Sequence, residues 1–113
     1  MTAYKKWDVV VTDFPYSDTG QVKRRPAVVI SNPFSISDRV VIYWVLMITT
    51  TELKGAEGDT EILDIEQAGL PHPSIVRAIK FGNVQNSIIR RKVGELDPKT
   101  RKKVTKFLLS NLK

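Results

Sequence analysis

The sequence predicts a mainly β domain: a small, strongly bent antiparallel sheet, half-barrel in character, covered by one C-terminal helix. Three observations carry this. Short runs of β-branched and aromatic residues recur between Trp7 and Val93, bounded by Pro, Gly, Ser and Asp. The C-terminal stretch opens with a helix start signal and continues at helical spacing. The chain has 113 residues, 42% of them hydrophobic, which suffices for one core and predicts a single domain over residues 1–113.

Residues 7–14 (Trp-Asp-Val-Val-Val-Thr-Asp-Phe) read as the first strand, and Pro15 with Ser17, Asp18, Thr19 and Gly20 as a loop. Residues 25–31 read as a second strand. Pro26 has no N–H to donate to a ladder, so it belongs near that strand's start or on an edge. Residues 32–38 are a connection. Residues 40–48 are nine apolar residues in a row, and three valines, two isoleucines, Tyr43 and Trp44 make them a strand buried on both faces. Thr49, Thr50 and Thr51 end it. Residues 52–66 hold six acids against one lysine and are predicted to be well solvated, with a short edge strand at 60–65. A turn at 69–73 leads to two further strands, 74–81 and 87–93, with Gly82 and Asn83 near the bend. Asp97 is the expected N-cap of the helix and Pro98 its first residue. Val104, Phe107, Leu108 and Leu112 form its predicted inner face.

Composition narrows the chemistry. The longest apolar run falls well short of the ~20 residues of a membrane helix. No apolar segment follows the positive charge near Met1, so no secretory signal is expected. The absence of cysteine excludes disulfides, thiolate metal sites and cysteine nucleophiles, and fits a cytoplasmic protein. His72 is the only histidine, which excludes a paired-histidine metal site and argues against a histidine triad. No metal or cofactor is expected. The net charge of +6 is concentrated: residues 1–76 carry seven basic and ten acidic side chains, residues 77–113 eleven and two. A basic half of this kind points to a polyanionic partner or to a solvated lysine-rich face.

Four ordered blocks are more specific. Asp8-Val-Val-Val-Thr-Asp-Phe-Pro-Tyr-Ser-Asp, Lys23-Arg-Arg-Pro-Ala-Val-Val-Ile-Ser, Val45-Leu-Met-Ile-Thr-Thr and Gly69-Leu-Pro with Ser74-Ile-Val-Arg resemble the MazF/PemK family of toxins from type II toxin–antitoxin systems. The resemblance covers nearly the whole chain. It implies an SH3-like (MazF/PemK/CcdB-type) small barrel with a C-terminal helix. It also implies a homodimer and sequence-specific, metal-independent cleavage of single-stranded RNA, chiefly messenger RNA, by 2′-OH attack. The implied inhibitor is an acidic, MazE-like antitoxin.

Such cleavage requires deprotonation of the 2′-OH, stabilisation of a charged phosphorane and protonation of the leaving 5′-oxygen. Arg25 matches the family's catalytic arginine, and guanidinium is suited to the second task because its planar fork meets phosphate oxygens in pairs. Thr49 matches the family's threonine and supplies a hydroxyl donor, with Thr50 the alternative if the register slips. Asp18 and Arg77 are candidates for base or auxiliary roles; relatives carry an aspartate two residues after the Arg77 position, where this chain has Ile79. Arg24, Thr50, Lys80, Arg90 and Arg91 are the expected RNA contacts, with edge protection of a sheet as the alternative for the basic run at 90–92. His72, between two prolines, matches no catalytic position of the family and reads as a surface turn residue. Trp7 replaces the glycine usual before the aspartate, which predicts a local packing change.

Two other readings remain at this level. One is a non-catalytic barrel that binds nucleic acid or protein, with Ile79 marking a decayed site. The other is a CcdB-like gyrase poison. The absence of an aromatic residue after Phe107 argues against the latter.

Overall fold

A computed structural model of the chain describes residues 3–14 and 22–113. Among the described residues there are seven strands: β1 (Asp8–Phe14), β2 (Lys23–Val29), β3 (Phe34–Ser35), β4 (Val41–Thr50), β5 (Asp59–Glu61), β6 (Ser74–Gln85) and β7 (Ile89–Glu95). Two helices accompany them, the short α1 (Ile65–Ala68) and the C-terminal α2 (Pro98–Asn111). Every pairing is antiparallel, in the order β5-β6-β4-β2-β1-β7, and β3 adds to β4 off that path. The mainly β architecture with a C-terminal helix is the predicted one.

The sheet buries both faces, and alternate residues of each strand serve different cores. Val9, Val28, Leu46, Ile48 and Val76 meet Leu96 and Val104 in the core beneath α2. Their neighbours Val10, Ala27, Val29 and Val45, with Val84 of β6 beyond its register shift, meet Tyr43, Phe14 and Ile89 in the other. The unbroken apolar run of β4 is thus explained by a strand with no solvated face along Val45 and Leu46. Pro26 is accommodated as expected: it pairs with Val11 of β1, and β4 joins β2 only from Ala27 onward.

Four details differ from the sequence reading. The two strands expected at 74–81 and 87–93 do not part at Gly82. β6 runs through Gly82, which pairs with Val45, and the turn is the 3-10 segment Asn86–Ile88. The bend lies earlier: Leu46 pairs with Phe81 but Met47 with Arg77, so Ala78, Ile79 and Lys80 have no partners on β4. The edge strand of the acidic stretch is Asp59–Glu61, paired to β6 alone, and helix α1 follows where only solvated chain was expected. Asp64 caps α1 by accepting from the Gln67 amide, and Gly69 ends it in the left-handed region at φ 73°. A Cβ at Gly69 would lie 2.0 Å from the Val93 carbonyl oxygen, so this turn excludes other residues on two counts. Residues 34–35 add the short β3 to a segment read as a connection.

Helix α2 starts as predicted. Asp97 accepts from the Thr100 amide at 3.0 Å and Thr100 Oγ1 at 2.7 Å, with Pro98 in the first turn. Val104 is fully buried, and Phe107 and Leu108 pack against the core. Leu112, expected on the inner face, instead caps the end of the helix and is exposed. Trp7 takes φ 75°, a region costly for any side chain but glycine, and its ring packs on the core below α2. That conformation accounts for a glycine being usual there.

Candidate functional site

The ladder between β2 and β4 spans only Ala27–Val29 and Val45–Met47. Beyond the Ala27–Met47 pair the strands separate. Arg25 and Thr49 each lie two residues past that pair. Both line two adjoining clefts that open where the strands separate. One, of about 390 Å³, is walled by Arg24, Arg25, Thr49, Thr50, His72 and Arg91. The other, of about 640 Å³, runs along the β6 bend past Lys23, Arg77, Ile79, Lys80, Phe81 and Asn83. Arg25 is exposed, and its side chain has no hydrogen-bond or ion-pair partner among the described residues. Its donors are available to a ligand.

Arg77 is held differently. Its Nε and Nη2 donate to the two carboxylate oxygens of Asp59, at 3.2 and 3.0 Å, and Nη2 also donates to the Leu53 carbonyl at 2.6 Å. Asp59 in turn accepts from the amides of Gly55 and Ala56 at 3.0 and 2.9 Å. The hydrogen bond from Arg77 holds the Asp59 carboxyl below its ordinary range against the opposing effect of burial, and the same bond raises Arg77. Position 79 is Ile, and the aspartate that engages Arg77 comes from β5. Sequence reasoning missed it because Asp59 lies among six acids in a stretch with no motif, and only the β5–β6 register places it opposite Arg77.

The remaining predicted contacts divide. Thr50, Arg91 and Lys80 line the clefts, and no partner engages the side chains of Arg91 and Lys80 among the described residues. Arg24 lines the smaller cleft while lying 3.4 Å from Asp13. Arg90 lines neither cleft and instead binds Asp13. Its hydrogen bond holds the Asp13 carboxyl below the usual range. The β1–β7 ladder breaks here: Val11 pairs with Arg91 but Thr12 with Ile89, so Arg90 has no partner on β1 and reaches Asp13 from an irregular position. Asp18 lies outside the described residues. His72, read from sequence as a plain turn residue, is part of the cleft wall beside Arg25 and Thr49.

The charges in both clefts are of one sign. Arg24, Arg25, Arg91, Lys23, Arg77 and Lys80 line them, and among the described residues no carboxylate does. Threonine hydroxyls stand between the guanidinium groups. Such a surface attracts an anion and can donate several hydrogen bonds to one phosphate. Among the described residues no group of three His, Cys, Asp or Glu side chains is placed to hold a metal ion. No helix among them is long and apolar enough to cross a membrane.

The family model for the PemK-like, MazF-like toxin of type II toxin–antitoxin systems matches residues 5–112. Two solved structures share the fold. One is an endoribonuclease in complex with its cognate antitoxin from a mycobacterial species; it is 19% identical over 99% of this chain and 95% of its own, with a TM-score of 0.63. The other is the Mycobacterium tuberculosis toxin MazF-mt6, 17% identical over 88% and 89%, with a TM-score of 0.62. No curated protein sequence matches the chain.

Proposed function

The chain belongs to the PemK-like, MazF-like toxins of type II toxin–antitoxin systems, and we propose on that premise that it is an endoribonuclease cleaving single-stranded RNA by 2′-OH attack without a metal ion. The observation that supports this best is the shared placement of Arg25 and Thr49 where β2 and β4 separate, in clefts lined by cations and hydroxyls. A phosphodiester seated there receives a free guanidinium fork and a hydroxyl. Fixed positive charge is what a phosphorane transition state requires. The cytoplasm, where messenger RNA is found, is the compartment that fits this activity.

Two partners accompany the reading. One is an acidic antitoxin, docking by charge in the same cationic clefts and competing with RNA. The other is a second copy of the chain. Phe34, Trp44 and Phe81 form an exposed row with ring centroids 4.9 and 5.7 Å apart, and Ile36 and Ile79 are exposed as well. A homodimer that covers this row buries apolar surface that the monomer leaves in water.

The direct test is incubation of the purified protein with a long RNA in EDTA. Cleavage at a limited set of sites is expected. Intact RNA, with binding retained, favours the non-catalytic reading.

A further inference from the structure

Resting on the ribonuclease reading, we propose that His72 is the general base that takes the proton from the attacking 2′-hydroxyl. Arginine and lysine cannot fill this role, because they are protonated at neutral pH. Among the described residues that line the two clefts there is no carboxylate, and His72 carries the one imidazole, the side-chain type most often used as a general base. It shares the smaller cleft with Arg25 and Thr49, the pair that would hold the phosphate. The charged groups facing it there are Arg24 and Arg25 from β2 and Arg91 from β7; β4 and β6 contribute only the hydroxyls of Thr49, Thr50 and Ser74.

The turn that presents His72 is held at both ends. Pro71 and Pro73 restrict the backbone on either side of it. Ser74 Oγ donates to the His72 carbonyl at 2.8 Å, and the Thr51 amide donates to the Pro73 carbonyl at 3.1 Å. The second bond ties the turn to the end of β4, two residues beyond Thr49. Gly69 anchors the other end against Val93.

In the proposed step an imidazole nitrogen accepts the 2′-hydroxyl proton as the 2′-oxygen forms a bond to phosphorus. The bond from phosphorus to the 5′-oxygen breaks, leaving a 2′,3′-cyclic phosphate. The 5′-oxygen leaves with a proton drawn from water, and the imidazolium later returns its own proton to solvent.

The test is single-turnover cleavage of one defined RNA from about pH 5 to about pH 9 by wild type, His72→Gln, His72→Ala, Asp18→Asn and Arg25→Ala. Wild type should gain about tenfold in rate per pH unit on the acid side and level off near neutrality. His72→Gln should lose that limb and run roughly 10²- to 10⁴-fold slower at neutral pH, the usual worth of a general base. Free imidazole should restore part of the rate to His72→Ala. A merely structural histidine would scale the rate equally at every pH and leave the limb in place. A limb retained in His72→Gln but lost in Asp18→Asn overturns the assignment and gives the proton to the loop aspartate. Wild type that cleaves no RNA overturns the ribonuclease reading and this proposal together. Activity lost in Arg25→Ala but untouched in His72→Gln overturns this proposal alone.

Discussion

Arg25 and Thr49 each lie two residues past Ala27 and Met47, the last paired positions of β2 and β4, and both line the same two clefts. Paired strands would occupy the edge between them with ladder hydrogen bonds. Because the strands part there, a guanidinium and a hydroxyl border open clefts instead. Pro26 assists the separation, since it has no N–H to offer a neighbouring strand.

Substituting Arg25 by Ala should abolish RNA cleavage while leaving the fold intact, because an exposed arginine without partners adds little stability. Arg25→Lys should restore little, since a point charge does not replace a bidentate fork. Single-turnover rates, with circular dichroism as the control on folding, check both. Full activity in a folded Arg25→Ala would remove the arginine from the mechanism.

Thr49→Ala should slow cleavage by roughly 10- to 1,000-fold, as for loss of one transition-state donor. Thr49→Ser should keep most of the rate, because the hydroxyl remains. The same assay on both variants decides; equal losses would assign Thr49 a packing role rather than a donor role.

Asp59→Asn should destabilise the protein by roughly 1.5–3 kcal/mol at neutral pH, the range for a hydrogen bond to a charged group. The Asp59 carboxyl is held low in the folded state, chiefly by its bond from Arg77. Its contribution is therefore complete above the unfolded value of about 3.9 and is lost as pH falls through the folded value. Thermal melts from neutral pH down to about pH 3 should show wild type losing stability more steeply than Asp59→Asn below about pH 4. Parallel curves would mean that the Asp59–Arg77 pair contributes nothing to acid stability.

Trp44→Arg should convert a dimer into a monomer, because it places a charge in the centre of the Phe34–Trp44–Phe81 row. Light scattering at micromolar concentration reads the mass. A wild-type monomer, or a Trp44→Arg dimer, would count against this face as the interface.

Local chemistry made much of the fold legible. The β-branched runs around Val10, Val28 and Val45, the Asp97–Pro98 helix start and the edge position of Pro26 depend on side chains and backbone groups near in sequence. The block around Arg25 and the threonines ending the apolar run were singled out as candidates for phosphate chemistry through resemblance to a known family. The β6 bend was not legible. Gly82 signals a turn locally, yet pairing with the buried Val45 in the β4–β6 ladder overrides that preference.

What the sequence determined by itself was therefore which segments become strands or helix, and which residue types could serve phosphate chemistry. What only the tertiary structure decided was which of those residues meet. Asp59 reaches Arg77 through the β5–β6 register, and Arg25 shares its clefts with Thr49 because the β2–β4 ladder stops at Ala27 and Met47. His72 joins their cleft because its turn is bonded to the end of β4. Register is set by burying alternate side chains in two cores at once, and a slip of one residue would exchange every side chain between them. That is a property of the packed sheet, and no single stretch of the chain contains it.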